Sequence, residues 1–61
     1  MKRRDLIRHL SDHGCVFVRE GQNHTIYENP KTGRRVPIPR HREIPDPLAR
    51  AICRQLEIPL P

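Results

Sequence analysis

Aromatic residues are nearly missing: one Phe, one Tyr and no Trp in 61 residues. That leaves little for stacking nucleic-acid bases and little bulk for a core. Hydrophobic content is 34%. A domain of this length buries only ~60% of the surface its unfolded chain exposes. Long apolar runs are also missing, so no segment approaches the ~20 residues that span a bilayer. The opening residues, MKRRDLIRHL, reach Asp12 without the apolar stretch of a signal peptide. Cysteine is scarce. Cys15 and Cys53 form neither a CxxC nor a zinc-binding spacing. The chain therefore reads as a single domain, residues 1–61, in the cytoplasm with reduced thiols. Both cysteines are expected to be small core residues.

Positive charge is abundant. Twelve Lys and Arg face seven Asp and Glu, for a net charge of +5. All the cations except Lys2 and Lys31 are arginine, whose planar fork of donors matches phosphate geometry. Such a balance suits nucleic acid, an anionic surface or an acidic protein, or else simply a well-solvated exterior.

The apolar spacing predicts a helix over residues 2–13, with Leu6, Ile7 and Leu10 on one stripe and Lys2, Arg3, Arg4 and Arg8 off it. Gly14 suits the left-handed position after that helix. Residues 15–19 (CVFVR) and 23–28 (NHTIYE) read as strands joined by a turn at Glu20, Gly21 and Gln22. The run NPKTG, 29–33, is a strong turn signal. Residues 34–38 (RRVPI) make a third strand, kept to an edge by Pro37. Residues 39–45 are loop. Asp46 is a good N-cap, with Pro47 at the first helical position. Leu48, Ala51, Ile52 and Leu56 form the stripe of a second helix, ended by Pro59 and Pro61. The order α-β-β-β-α allows an α+β, two-layer structure: a three-stranded antiparallel sheet with both helices on one face and the other face open.

Two segments carry a family resemblance. GCVFVREGQNHTIYENPKTGRRVPIPRH has a glycine, a strand and a turn leading to His24. It continues with a strand, an Asn-Pro turn and a basic strand ending in Pro39-Arg40-His41. EIPDPLARAICRQLEIP follows as a closing helix. The chain resembles the HicA, or YcfA-like, toxins of bacterial toxin–antitoxin systems over nearly its whole length. Two of its departures from their pattern bear on the site and the closing helix. Gln22 and Asn23 separate Gly21 from His24 where the family has Gly-Ser-His, and the closing helix reads Asp-Pro-Leu-Ala-Arg where the family has Gly-Thr-Leu-Arg. The resemblance implies a fold like that of a double-stranded-RNA-binding domain. It also implies a metal-independent endoribonuclease that cleaves mRNA without a cofactor, and a HicB-type antitoxin that covers its active site. Contact with DNA would come only through that antitoxin, and none with membrane is implied. The family's catalytic histidine carries over onto His24.

Imidazole titrates near pH 6.5 and can serve as base or acid toward the 2′-hydroxyl and the leaving 5′-oxygen of RNA. Arginines can stabilise the charge that develops at phosphorus. The second proton carrier is left open among water, a neighbouring hydroxyl and His41. On alternation alone, His24 shares a face with Ile26 and Glu28, and Ile26 would draw that face toward the core. Lys31, Arg34, Arg35, Arg40 and Arg42, with His41, are candidates to hold the RNA backbone. The plain alternative for each is a solvated surface or a contact with the antitoxin. His9 and His13 stand four apart on the first helix, but no acidic residue supplies a third metal ligand at obvious spacing, so no metal is expected. A non-catalytic RNA-binding module, or a protein that works only inside a complex, is the competing reading.

Overall fold

A computed structural model describes residues Met1 to Pro61. Helix α1 (Arg3–Asp12) is followed by strands β1 (Val16–Glu20), β2 (His24–Asn29) and β3 (Arg34–Pro39), then by helix α2 (Asp46–Gln55). The strands form one antiparallel sheet in the order β1-β2-β3, and both helices lie on one face of it. The expected α+β architecture is the one observed, and element ends differ from expectation by a residue or so.

Both helices end in the same way. After α1, the amide of Gly14 donates to the Ser11 carbonyl (3.0 Å) and that of Cys15 to the Leu10 carbonyl (2.9 Å). Gly14 takes the left-handed φ of 84° that this Schellman turn needs. After α2, Glu57 donates to Arg54 (3.0 Å) and Ile58 to Cys53 (3.0 Å), with Glu57 itself at φ 58°. Each turn brings an apolar residue back onto the core.

That core comprises Leu6 and Leu10 of α1, Cys15, Val36 and Ile38 of β3, Ile44, and Ala49, Ile52 and Cys53 of α2 with Leu56 at its C-cap. The two cysteines are buried and unbridged, as expected. Desolvation raises both thiol pKa values, and in Cys53 the neighbouring charge of Cys15 adds to the rise. No helix is long and apolar enough to cross a membrane.

Three expectations are corrected. The buried stripe of α2 is Ala49, Ile52, Cys53 and Leu56, while Leu48 is exposed and Ala51 only half-buried. Pro45, not Asp46, is the N-cap of α2, so Asp46 and Pro47 occupy its first two positions. Pro47 is tolerated there because its amide would have had no helical partner. Most consequentially, β2 does not turn Ile26 inward. Thr25 and Asn29 are the buried residues of β2, and Tyr27 packs against the core beside them. The polar pair can occupy the inner face because its groups are satisfied. Asn29 Nδ2 donates to the Leu56 carbonyl (2.7 Å), and its Oδ1 accepts from the Lys31 amide (3.0 Å). Thr25 Oγ1 sits between Arg3 and Glu20. Alternation then places His24, Ile26 and Glu28 together on the face without helices.

Candidate nucleic-acid interface

His24 opens β2, directly opposite Pro39, the last residue of β3. It is exposed. Its open-face neighbours are Ile26 and Glu28 on its own strand, with Pro37 and Arg35 across from them. The backbone of the approach is tight. The Gly21 amide donates to the His24 carbonyl at 2.7 Å. A Cβ on Gly21 would lie 3.2 Å from that same carbonyl oxygen, which explains a glycine here.

Arg40 holds this turn from the far side. Its Nη1 lies 2.7 Å from Glu20 Oε1, 3.0 Å from the Gly21 carbonyl and 2.9 Å from the His24 carbonyl. Its Nη2 donates to the Gln22 carbonyl. One planar fork thus gathers a carboxylate and three carbonyls of the loop that presents His24. Glu20 also accepts from Thr25 Oγ1 at 2.8 Å. The Thr25 hydroxyl, followed by the Arg40 guanidinium and the charge of Arg3, holds the Glu20 carboxyl below its ordinary pKa against a smaller desolvation effect. Arg3 completes the network: its Nη2 donates to Thr25 Oγ1 (2.8 Å) and its Nε to the Pro39 carbonyl (3.0 Å).

The cationic residues expected to hold RNA divide between the two ends of the sheet. Arg40 and His41 follow β3 at the His24 end, and His41 is exposed. Lys31 lies in the turn at the other end, and Arg34 pairs in register with Asn29 there. Five residue steps along β2 separate that end from His24, or ~17 Å. Arg34 approaches Glu57 at 3.8 Å. Arg35 shares the open face with His24, but its Nε is engaged by Glu28 Oε1 at 2.6 Å.

At the His24 end the structure adds residues that the linear reading passed over. Lys2, Arg3, Arg4, Arg40 and Arg42 line a cleft of about 320 Å³ with no other residue in its wall. The KRR run at positions 2–4 was the available signal, and it reads locally as the polar side of a helix. Three cations at the start of a helix are also disfavoured by its dipole, by ~0.3–1 kcal/mol each.

His9 and His13 do come together, with ring centroids 4.5 Å apart. His9 Nε2 is 2.7 Å from the Pro59 carbonyl. No group of three or more His, Cys, Asp or Glu side chains is placed to hold a metal ion.

A family model described as "HicA toxin of bacterial toxin-antitoxin" matches residues 3–58. The chain belongs to this HicA toxin family. It is accordingly a toxin of a toxin–antitoxin system, and such a system includes an antitoxin partner. The match takes in all three strands, both helices, His24 and four of the five cleft cations. No curated protein matches the chain, and no solved structure does.

Proposed function

We propose that this HicA-family chain is a metal-independent endoribonuclease that cleaves mRNA, with His24 as its proton-transfer group. The observation that supports this best is an exposed imidazole on the open sheet face, presented by a turn pinned through Arg40 and bordered by a cationic cleft. In the reaction, a base removes the proton of the RNA 2′-hydroxyl and the 2′-oxygen attacks the adjacent phosphorus. The bond from phosphorus to the 5′-oxygen breaks, and an acid protonates the leaving oxygen. The products are a 2′,3′-cyclic phosphate and a 5′-hydroxyl. Imidazole is suited to either proton task near neutral pH. The Thr25 hydroxyl is a poor second carrier, because it is buried and committed to Glu20 and Arg3. Water or the exposed His41 fits better. Phosphate contacts fall to the cations near His24, Arg40 among them, with Lys31, Arg34 and Arg35 serving only a longer stretch of RNA.

The partner in this reading is a HicB-type antitoxin that covers the open face. Val16 and Phe17 on the edge strand β1 are 47% and 53% exposed, which offers that partner apolar surface toward the end of the sheet away from His24. A non-catalytic RNA-binding module remains the second reading, because the cationic end would serve binding without chemistry.

The test compares wild type with His24→Ala, each free of antitoxin, on a labelled mRNA in excess EDTA. Wild type is expected to cut and leave 5′-hydroxyl ends, while the folded variant leaves the RNA intact. A 5′-phosphate product, or equal cleavage by both proteins, would defeat the proposal.

A further inference from the structure

The cleft walled by Lys2, Arg3, Arg4, Arg40 and Arg42 is built rather than incidental. Its two cationic segments are locked together along the backbone. The Arg3 amide donates to the Arg42 carbonyl (2.8 Å), and the Ile44 amide to the Met1 carbonyl (2.7 Å). The Met1 amino group returns a bond to the Ile44 carbonyl (3.0 Å). Solubilising charges need no such register, since like charges repel and exposed side chains can spread apart. Here the fold draws them into one concave wall.

The acids nearby neutralise it only in part. Glu43 is shared between Lys2 (3.3 Å) and the Met1 amino group (3.7 Å), and Glu20 is engaged by Arg40. Arg4 reaches only Asp5, at 3.6 Å and highly exposed. Arg42 makes neither an ion pair nor a side-chain hydrogen bond. Arg3 and Arg40 are held rigidly by protein acceptors, which fixes the position of their charge. Arg42 is unpaired and Arg4 has only its exposed contact with Asp5, so both can engage a ligand. The wall holds no apolar side chain, so a lipid tail or an apolar peptide has nothing to bury there. Its chemistry matches phosphate oxygens.

We infer that this cleft is a phosphate-binding channel. It would grip the sugar–phosphate backbone of a single-stranded RNA beside the nucleotide presented to His24. The inference rests on the ribonuclease reading for the identity of its ligand. Arg40 joins the two features, since it lines the cleft and also contacts the His24 carbonyl. The channel reads charge and not sequence, so it sets affinity and the path of the strand without selecting bases.

The test uses a short 2′-O-methyl oligoribonucleotide, which lacks the nucleophile and cannot be cut by the proposed route. Its affinity is measured against salt concentration for wild type, Arg4→Gln, Arg42→Gln and the double variant. Arg54→Gln, beyond the opposite end of the sheet, is the control. Each lost phosphate contact lowers the slope of log K against log salt by about 0.7 for a single strand, so the double variant should lose about 1.4. The control should keep the wild-type slope. Thermal melts verify folding, and neither side chain anchors the fold. If the double variant keeps the wild-type slope while wild type still cleaves mRNA, the channel is overturned and the ribonuclease stands. The cleft cations then serve a protein partner or solubility. If the slope falls but wild type never cleaves, the channel stands and the catalytic reading fails. Wild type that neither binds nor cleaves overturns both.

Discussion

The Arg40 guanidinium is surrounded by one carboxylate and three carbonyls of the turn before His24. A lysine there would keep the charge but lose the planar fork. Arg40→Lys therefore separates positioning from attraction. We expect the salt slope of RNA binding to stay near wild type, while cleavage at saturating RNA falls by roughly 10- to 100-fold, the range that small misplacement of a reacting group produces. Wild-type cleavage by Arg40→Lys would show that the turn holds His24 without it. His24 is exposed, so His24→Ala should remain folded, with a stability change within about 0.5 kcal/mol. The thermal melt of that variant checks this, and loss of its activity can then be assigned to chemistry.

Among the elements, α2 ends with a strained residue. Glu57 occupies the left-handed position of its Schellman turn at φ 58°, where α1 uses Gly14 at 84°. The left-handed conformation costs an L-residue ~1–2 kcal/mol. The Arg34–Glu57 pair at 3.8 Å is exposed and offsets this by only ~0.2–1 kcal/mol. Glycine also brings a more flexible unfolded chain, which removes part of the gain. Glu57→Gly should therefore stabilise by about 0.5 kcal/mol and raise Tm by a few degrees. An unchanged or lowered Tm would mean that the ion pair outweighs the backbone strain. At the strand level, a bulge between Phe17 and Arg19 shifts the β1–β2 register and seats Glu20 opposite Thr25. Without that extra residue the Glu20 carboxylate would not meet the Thr25 hydroxyl.

Stability is modest for the molecule as a whole. At roughly 0.05–0.15 kcal/mol per residue, 61 residues give about 3–9 kcal/mol. Part of that depends on pH through Glu20, which ties β1, β2, α1 and the loop after β3 into one network. Its pKa is lowered in the folded state, first by the Thr25 hydroxyl and then by Arg40. The associated stability is present above the ordinary carboxylate pKa of ~4.3 and is lost as pH falls through the folded-state value. Glu20→Gln should melt below wild type at pH 7, and the gap should close as the solution is taken below the usual carboxylate range. A gap of constant size from pH 7 to pH 3 would remove Glu20 from the acid response.

The element order, the sheet and the roles of Gly14 and the cysteines were legible along the chain, because each rests on local spacing: Leu6 with Leu10, glycine after a helix, NPKTG between two β-rich runs. The family resemblance reached His24 by motif. Faces were harder to read. Ile26 looked like the inward residue of β2 by hydropathy, yet Thr25 and Asn29 point inward, because partners brought in by the fold satisfy them: Arg3, with Glu20 across the turn, for one, and the Leu56 carbonyl for the other. Nor could spacing show that Lys31 and Arg34 lie at the end of the sheet away from His24, while Lys2, Arg3 and Arg4 gather beside Arg40 and Arg42. Charge along a chain carries no direction until strands are paired. Antiparallel pairing sends Pro39 back to His24, and the bond from the Arg3 amide to the Arg42 carbonyl brings in the start of the chain. Those long-range contacts turn scattered arginines into a cleft.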